Sequence, residues 1–155
     1  MKNALSPLLA LLLLGTLPLS ASQQIGDPVS FVAGVYRHLI KAQSTQAEYE
    51  PREDIYTPQL AKLVRDDRKR ANGEVGCIDF DFWVNGQDWK ITHLTVAKGA
   101  ASLDRETVIA RFVSIGASQE LHFDFQRVDG RWLLDDVHST KKPRWTLSEL
   151  LKCAL

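Results

Sequence analysis

The chain has 155 residues, 19 basic and 19 acidic side chains, four histidines and no net charge, which argues against a nucleic-acid partner. Its hydrophobic content of 45% suits a folded globular domain. With only two cysteines and neither Cys-x-x-Cys nor His-Glu-x-x-His, no metal site is expected, and no cofactor motif is present.

Met1-Lys2-Asn3 precedes an apolar run from Ala4 to Leu19, broken only by Ser6, Pro7, Gly15, Thr16 and Pro18, and the small residues Ser20-Ala21-Ser22 follow. A basic start, a greasy centre and a small-residue zone read as a secretory signal peptide over 1–22, cut after Ser22 or Ala21. A permanent anchor fits less well, because the run is short for a bilayer and holds two prolines, so no membrane insertion is expected after cleavage. No Cys sits near the cleavage zone to carry a lipid. The expected location is periplasmic or secreted. Losing Lys2 leaves 18 basic against 19 acidic groups, a net charge of −1, in a single domain over 23–155. In an exported chain an even cysteine count favours a disulfide, here Cys77 to Cys153, closing a loop of about 76 residues.

Asp27-Pro28 opens an amphipathic helix to about Gln43, with Phe31, Val32, Val35, Tyr36, Leu39 and Ile40 on one stripe. A polar loop spans Ser44 to Tyr56. Thr57-Pro58 then starts a second helix, with Leu60, Leu63 and Val64 inward, and Asn72-Gly73 ends it. Cys77 to Trp83 reads as extended, and Asn85-Gly86 as a turn. Strands are expected at about Lys90–Lys98, Glu106–Ile115, Glu120–Val128 and Arg131–Ser139, with short turns at Gly99-Ala100, Gly116-Ala117 and Asp129-Gly130 that favour antiparallel neighbours. Thr146-Leu147-Ser148-Glu149 is a capping-box pattern before a short helix. The expected fold is α+β: two N-terminal helices on a curved four-stranded antiparallel sheet, cone-shaped, with a short C-terminal helix and a ligand pocket between the layers.

Taking Asp129-Gly130 as a two-residue hairpin loop sets Phe125 opposite Leu134, Phe123 opposite Asp136 and Leu121 opposite His138. The apolar face with Leu121, Phe123, Phe125, Trp132 and Leu134 then meets the helices, and Asp136 and His138 point inward beside it. Each also has a plain structural role open to it, and a bulge would turn both outward. Leu133 and Val137, on the other face beside His122 and Gln126, suit a partner surface. A second constellation, Asp79-Phe80-Asp81 with Gln87-Asp88-Trp89, reads either as a polar rim with aromatic walls or as residues that fix an irregular loop. It matches no calcium loop.

The helix–helix–meander order and the run Asp129-Gly130-Arg131-Trp132-Leu133-Leu134-Asp135-Asp136-Val137 resemble the nuclear-transport-factor-2-like superfamily, shared with ketosteroid isomerases and SnoaL-type cyclases. Ile78-Asp79-Phe80-Asp81-Phe82, Gln87-Asp88-Trp89 and Trp132 with Asp135-Asp136-Val137 resemble more narrowly an exported bacterial family named domain of unknown function 3828. The resemblance implies an α+β cone in the cell envelope and no particular reaction.

Two functions of different classes follow. The first is a non-catalytic envelope protein that binds a small molecule or a partner protein through its pocket or sheet face; an immunity-type inhibitor of a secreted toxin belongs here. Its candidate ligand-binding residues are Asp79, Asp81, Gln87, Asp88, Trp89, Trp132, Asp136 and His138. The alternative is an isomerase or lyase of ketosteroid-isomerase type, with Asp136 as base and Tyr36 or His138 as donor to the enolate oxygen. A hydrolase finds no support, since Gly-x-Ser-x-Gly is absent and the histidines are scattered.

Overall fold

The structure, a computed structural model, describes residues 24–43 and 52–153. The signal peptide assigned to 1–22 and most of the polar loop after Ser44 lie outside the described residues. Helix α1 (Pro28–Ala42) begins where Asp27 Oδ1 accepts the Ser30 N–H at 2.7 Å, and it buries Val32, Val35, Tyr36 and Leu39. Ile40 lies at the margin of that stripe, 38% exposed. A 3-10 turn at Glu53–Ile55, inside the expected loop, carries Ile55 into the core. Helix α2 (Pro58–Ala71) is capped by Thr57 Oγ1, and Asn72, left-handed at φ 49°, ends it.

Strands β1 (Ile91–Ala101), β2 (Arg105–Ser114), β3 (Ala117–Val128) and β4 (Arg131–Ser139) form the expected antiparallel meander. A two-residue fifth strand, β5 (Trp145–Thr146), extends it beyond β4 before α3 (Leu147–Leu150). Among the described residues the sheet therefore has five strands rather than four. Helix α1 lies across β1 and β2, while α2 and α3 pack on β4. The segment from Cys77 to Trp83 is bends and turns instead of an extended strand, so Asp79 and Asp81 share no strand face.

The hairpin at Asp129-Gly130 forms in the expected register: Arg127 pairs Trp132 and Phe125 pairs Leu134. Beyond that the register shifts. Asp124 pairs Asp136, Phe123 pairs Val137, His122 pairs His138 and Leu121 pairs Ser139, with Asp135 the extra residue on β4. The cause is apolar spacing. Leu134 and Val137, both fully buried, stand three residues apart, and a regular strand cannot point both inward. The bulge resolves the conflict and carries Asp136 and His138 to the opposite face. Val137 thus belongs to the core and not to an outer partner surface.

The space between α1 and the inner face of the sheet is filled. Trp83, delivered by the loop after α2, is 1% exposed and stacks on Phe123 with ring centroids 4.9 Å apart. Phe31 packs edge-on against both Trp83 and Phe125. Tyr36 lies against Phe112 and donates its hydroxyl to the Trp83 carbonyl at 2.8 Å. Aromatic side chains occupy the volume where a ligand pocket was expected.

Candidate functional site

A recess with an apolar wall lies outside this core. It is a cleft of about 490 Å³ between α2, the loop from Gly73 to Trp83 and α3. Ile78, Phe80, Phe82 and Trp83 form one apolar wall; Val64 of α2, Leu147 of α3 and Leu151 just after it face them. Glu53, Asp67, Arg68, Glu74 and Asp81 supply its charge.

Two devices hold the loop. The disulfide between Cys77 and Cys153, as expected, joins it to the C-terminal segment. Beside it Asp67, 8% exposed, accepts the Cys77 N–H at 2.9 Å and pairs with Arg70 at 3.3 Å, and Arg70 also donates to the Leu151 carbonyl at 2.7 Å. Gly76 leaves room for that carboxylate, since a Cβ there would collide with Asp67 Oδ2 and displace it. Asp67 and the two cysteines lie close together, but both sulfurs are bonded to each other and offer no thiolate to a metal.

Asp81 organises the turn that follows. Its Oδ1 accepts the Trp83 N–H at 2.7 Å, its carbonyl accepts from Val84, and its own N–H donates to Gly86. Asn85 completes the turn in a left-handed conformation, donating to Gln119 and accepting from the Trp145 indole N–H. Burial among the aromatic wall raises the Asp81 carboxyl to about 6, and the Trp83 N–H only partly offsets this. Burial, and secondarily the charge of Asp81, push the Tyr36 phenol up.

Between pH about 4 and about 6 the folded protein therefore holds a proton on Asp81 that the unfolded chain has released. This contribution to stability is complete below pH about 4 and is lost as pH rises through about 6. The loss is up to about 3 kcal/mol, less whatever solvent screening removes at a partly exposed group. Asp81→Asn keeps the acceptor and cannot ionise. The expected result in urea unfolding is a variant more stable than the parent at pH 7, with the difference vanishing by pH 4. Parallel pH profiles for the two proteins would refute the assignment.

Of the eight residues expected to bind a ligand, the cleft takes Asp81 alone. Asp79, Gln87 and Asp88 are exposed, and Gln87 donates to the Asp79 carbonyl. Trp89 ties the loop to the end of α1 by donating to the Leu39 carbonyl at 3.1 Å. Trp132 is 8% exposed under the Arg127 guanidinium, which lies 4.6 Å from the ring centroid. Asp136 replaces the capping box expected at Thr146: its carboxylate accepts from both the N–H and the hydroxyl of Ser148, and Thr146 makes no side-chain cap. His138 lies 3.3 Å from Asp124 and packs on His122, ring centroids 4.8 Å apart, on the outer sheet face. There Glu120 accepts from His122, Arg111 and Thr140, in that order of influence, and is held at about 2. Tyr36, Asp136 and His138 consequently share no cavity.

The sequence-based expectations missed Val64, Arg68, Leu147 and Leu151 as cleft residues. The narrow stripe of α2 and the leucines of α3 were visible, but nothing local indicates that these elements meet across the loop.

No family model and no curated protein matches the chain. Among solved structures, a phospholipid-binding protein from Ralstonia solanacearum in complex with a phospholipid aligns at 15% identity and a TM-score of 0.34, over 82% of this chain and 70% of that one. A chain of the type VI native effector–immunity complex Tae3–Tai3 from Ralstonia pickettii aligns at 20% identity and a TM-score of 0.52, over 76% of this chain and 98% of its own. What this second likeness shows is a shared fold.

Proposed function

We propose that the chain is an exported, non-catalytic binding protein whose ligand is another protein, in the manner of an immunity protein that masks a secreted effector. The observation that carries this is the filled interior: with Trp83, Tyr36 and Phe123 buried between helix and sheet, recognition falls to the surface. The fold shared with a chain of an effector–immunity complex supports a protein as the ligand. The disulfide and the signal-like N-terminus support a periplasmic or secreted location. The helix–helix–meander order supports a place in the nuclear-transport-factor-2-like superfamily. The isomerase alternative loses its constellation, since the Tyr36 hydroxyl is committed to Trp83 and the Asp136 carboxylate to Ser148.

One hairpin points the same way. Ile115-Gly116 and Asp129-Gly130 adopt the same left-handed pair, with φ of 49° and 80° in the first and 49° and 77° in the second. Asp tolerates that conformation, whereas a β-branched side chain is strained there by about 1–2 kcal/mol. Ile115 is nevertheless 65% exposed. Strain that gains no burial within the chain fits a residue kept for a partner. Ile115→Asn is expected to raise stability by about 1 kcal/mol in urea unfolding and to weaken the complex. Native mass spectrometry of the protein recovered from its own compartment tests the complex: the parent should carry one protein of defined mass, and the variant less of it. A bare monomer that retains a small molecule would overturn the proposed function.

A further inference from the structure

We propose that the cleft between α2 and α3 receives an arginine or lysine side chain presented by the partner protein, its cationic head on Asp81 and its aliphatic stem along Ile78, Phe80 and Phe82. This deepens the protein-binding reading and rests on it.

Charge is the first argument. Among the described residues the cleft is lined by four carboxylates, Glu53, Asp67, Glu74 and Asp81, and one guanidinium, Arg68. Arg68 is taken by Glu53 at 2.5 Å, and Asp67 by Arg70. Among the described residues no Lys or Arg pairs with Asp81 or Glu74. An anionic ligand is repelled, and a neutral apolar one leaves the Asp81 charge dry and unpaired.

The second argument is the use made of Asp81. Its Oδ1 holds the turn through Trp83, a task any short acceptor performs, while Oδ2 takes no hydrogen bond from a described residue. The negative charge thus serves nothing inside the chain, although its surroundings oppose it. A guanidinium or ammonium satisfies the free oxygen with a charge-assisted bond and lies against aromatic faces that favour cations. The floor of the cleft is apolar, which suits the methylene stem of such a side chain.

The groups that face Asp81 define the pH response. Glu53 comes from the 3-10 turn, Asp67 and Arg68 from α2, Glu74 from the loop and the Tyr36 phenol from the core behind; α3 and its C-cap contribute the apolar Leu147 and Leu151. A cation on Asp81 favours its ionised form, so binding strengthens between pH 5 and 7 and releases a proton.

The test is an amide NMR titration of the folded chain with N-acetyl-arginine methylamide and N-acetyl-lysine methylamide, with N-acetyl-norleucine methylamide as the uncharged control. The expected result is saturable shifts at Ile78 to Trp83 with a dissociation constant of about 1–10 mM, as fits a ligand of this size. Asp81→Asn should weaken binding by about fivefold or more, Asp88→Asn should leave it unchanged, and the unmodified protein should bind more weakly at pH 5 than at pH 7. The pH arm stands without any variant. Equal shifts with norleucine, or shifts indifferent to both pH and Asp81→Asn, overturn the proposal. Silent probes beside a protein complex that Asp81→Asn leaves intact overturn the cleft's role while the protein-binding function stands.

Discussion

Replacing Trp83 by alanine is expected to destabilise the protein by about 3–5 kcal/mol, a large part of the 5–15 kcal/mol typical of a domain. The indole is 1% exposed, stacks on Phe123, meets Phe31 edge-on and packs beside Phe82. Its removal takes away a large apolar surface and leaves a hole. The backbone around it is anchored by the Tyr36 hydroxyl on the Trp83 carbonyl and by Asp81 on the Trp83 N–H, so collapse into that hole is limited. A dry apolar cavity of that size accepts a small aromatic molecule. Thermal melts should therefore show Trp83→Ala far below the parent and partly rescued by indole, which has no effect on the parent. Trp83→Leu, which fills part of the volume, should fall between them. A loss under about 1 kcal/mol, with no response to indole, would mean that Trp83 does not plug the interior, and the case for surface recognition would lose its support.

The same residue marks the limit of what the sequence discloses. Helices α1 and α2 were legible to within a residue or two because caps and prolines are local signals: Asp27-Pro28, Thr57-Pro58, Asn72. The four long strands were legible from alternation and from turns such as Asp129-Gly130. The bulge at Asp135 was recoverable in principle, since Leu134 and Val137 violate a period of two, but a local pattern does not tell which apolar residue yields. The two-residue strand β5 is too short to carry any period. The loop that delivers Trp83 and Asp81 is irregular and held by long-range contacts: to Tyr36, 47 positions away, and through Asn85 to Trp145, 60 away. A window of local sequence holds no trace of these, so the sequence left Asp79, Asp81 and Gln87 between a polar rim and the fixing of an irregular loop; Asp81 on the Trp83 N–H and Gln87 on the Asp79 carbonyl do the latter, and Asp81 alone of the three also lines the cleft.

Breaking the link between Cys77 and Cys153 is expected to lower stability by about 4–5 kcal/mol through the unfolded chain rather than the folded one. The bridge closes 76 residues, most of the described domain, and its loss frees the unfolded ensemble accordingly. In the folded state the C-terminal segment has other anchors. Leu147 and Leu151 are 1% and 2% exposed, Asp136 caps Ser148, and Arg70 holds the Leu151 carbonyl. The double variant Cys77→Ala, Cys153→Ala should thus show a lower urea midpoint and a modestly steeper transition, as a more expanded unfolded state exposes more surface. Amides of Leu151 to Cys153, which close the last turn on Leu147, Glu149 and Leu150, should still be protected from exchange at low denaturant, limited only by the reduced global stability. If these amides instead exchange freely while the sheet stays protected, the disulfide acts mainly by pinning α3. The wall of the cleft formed by Leu147 and Leu151 would then depend on an oxidising compartment to exist at all.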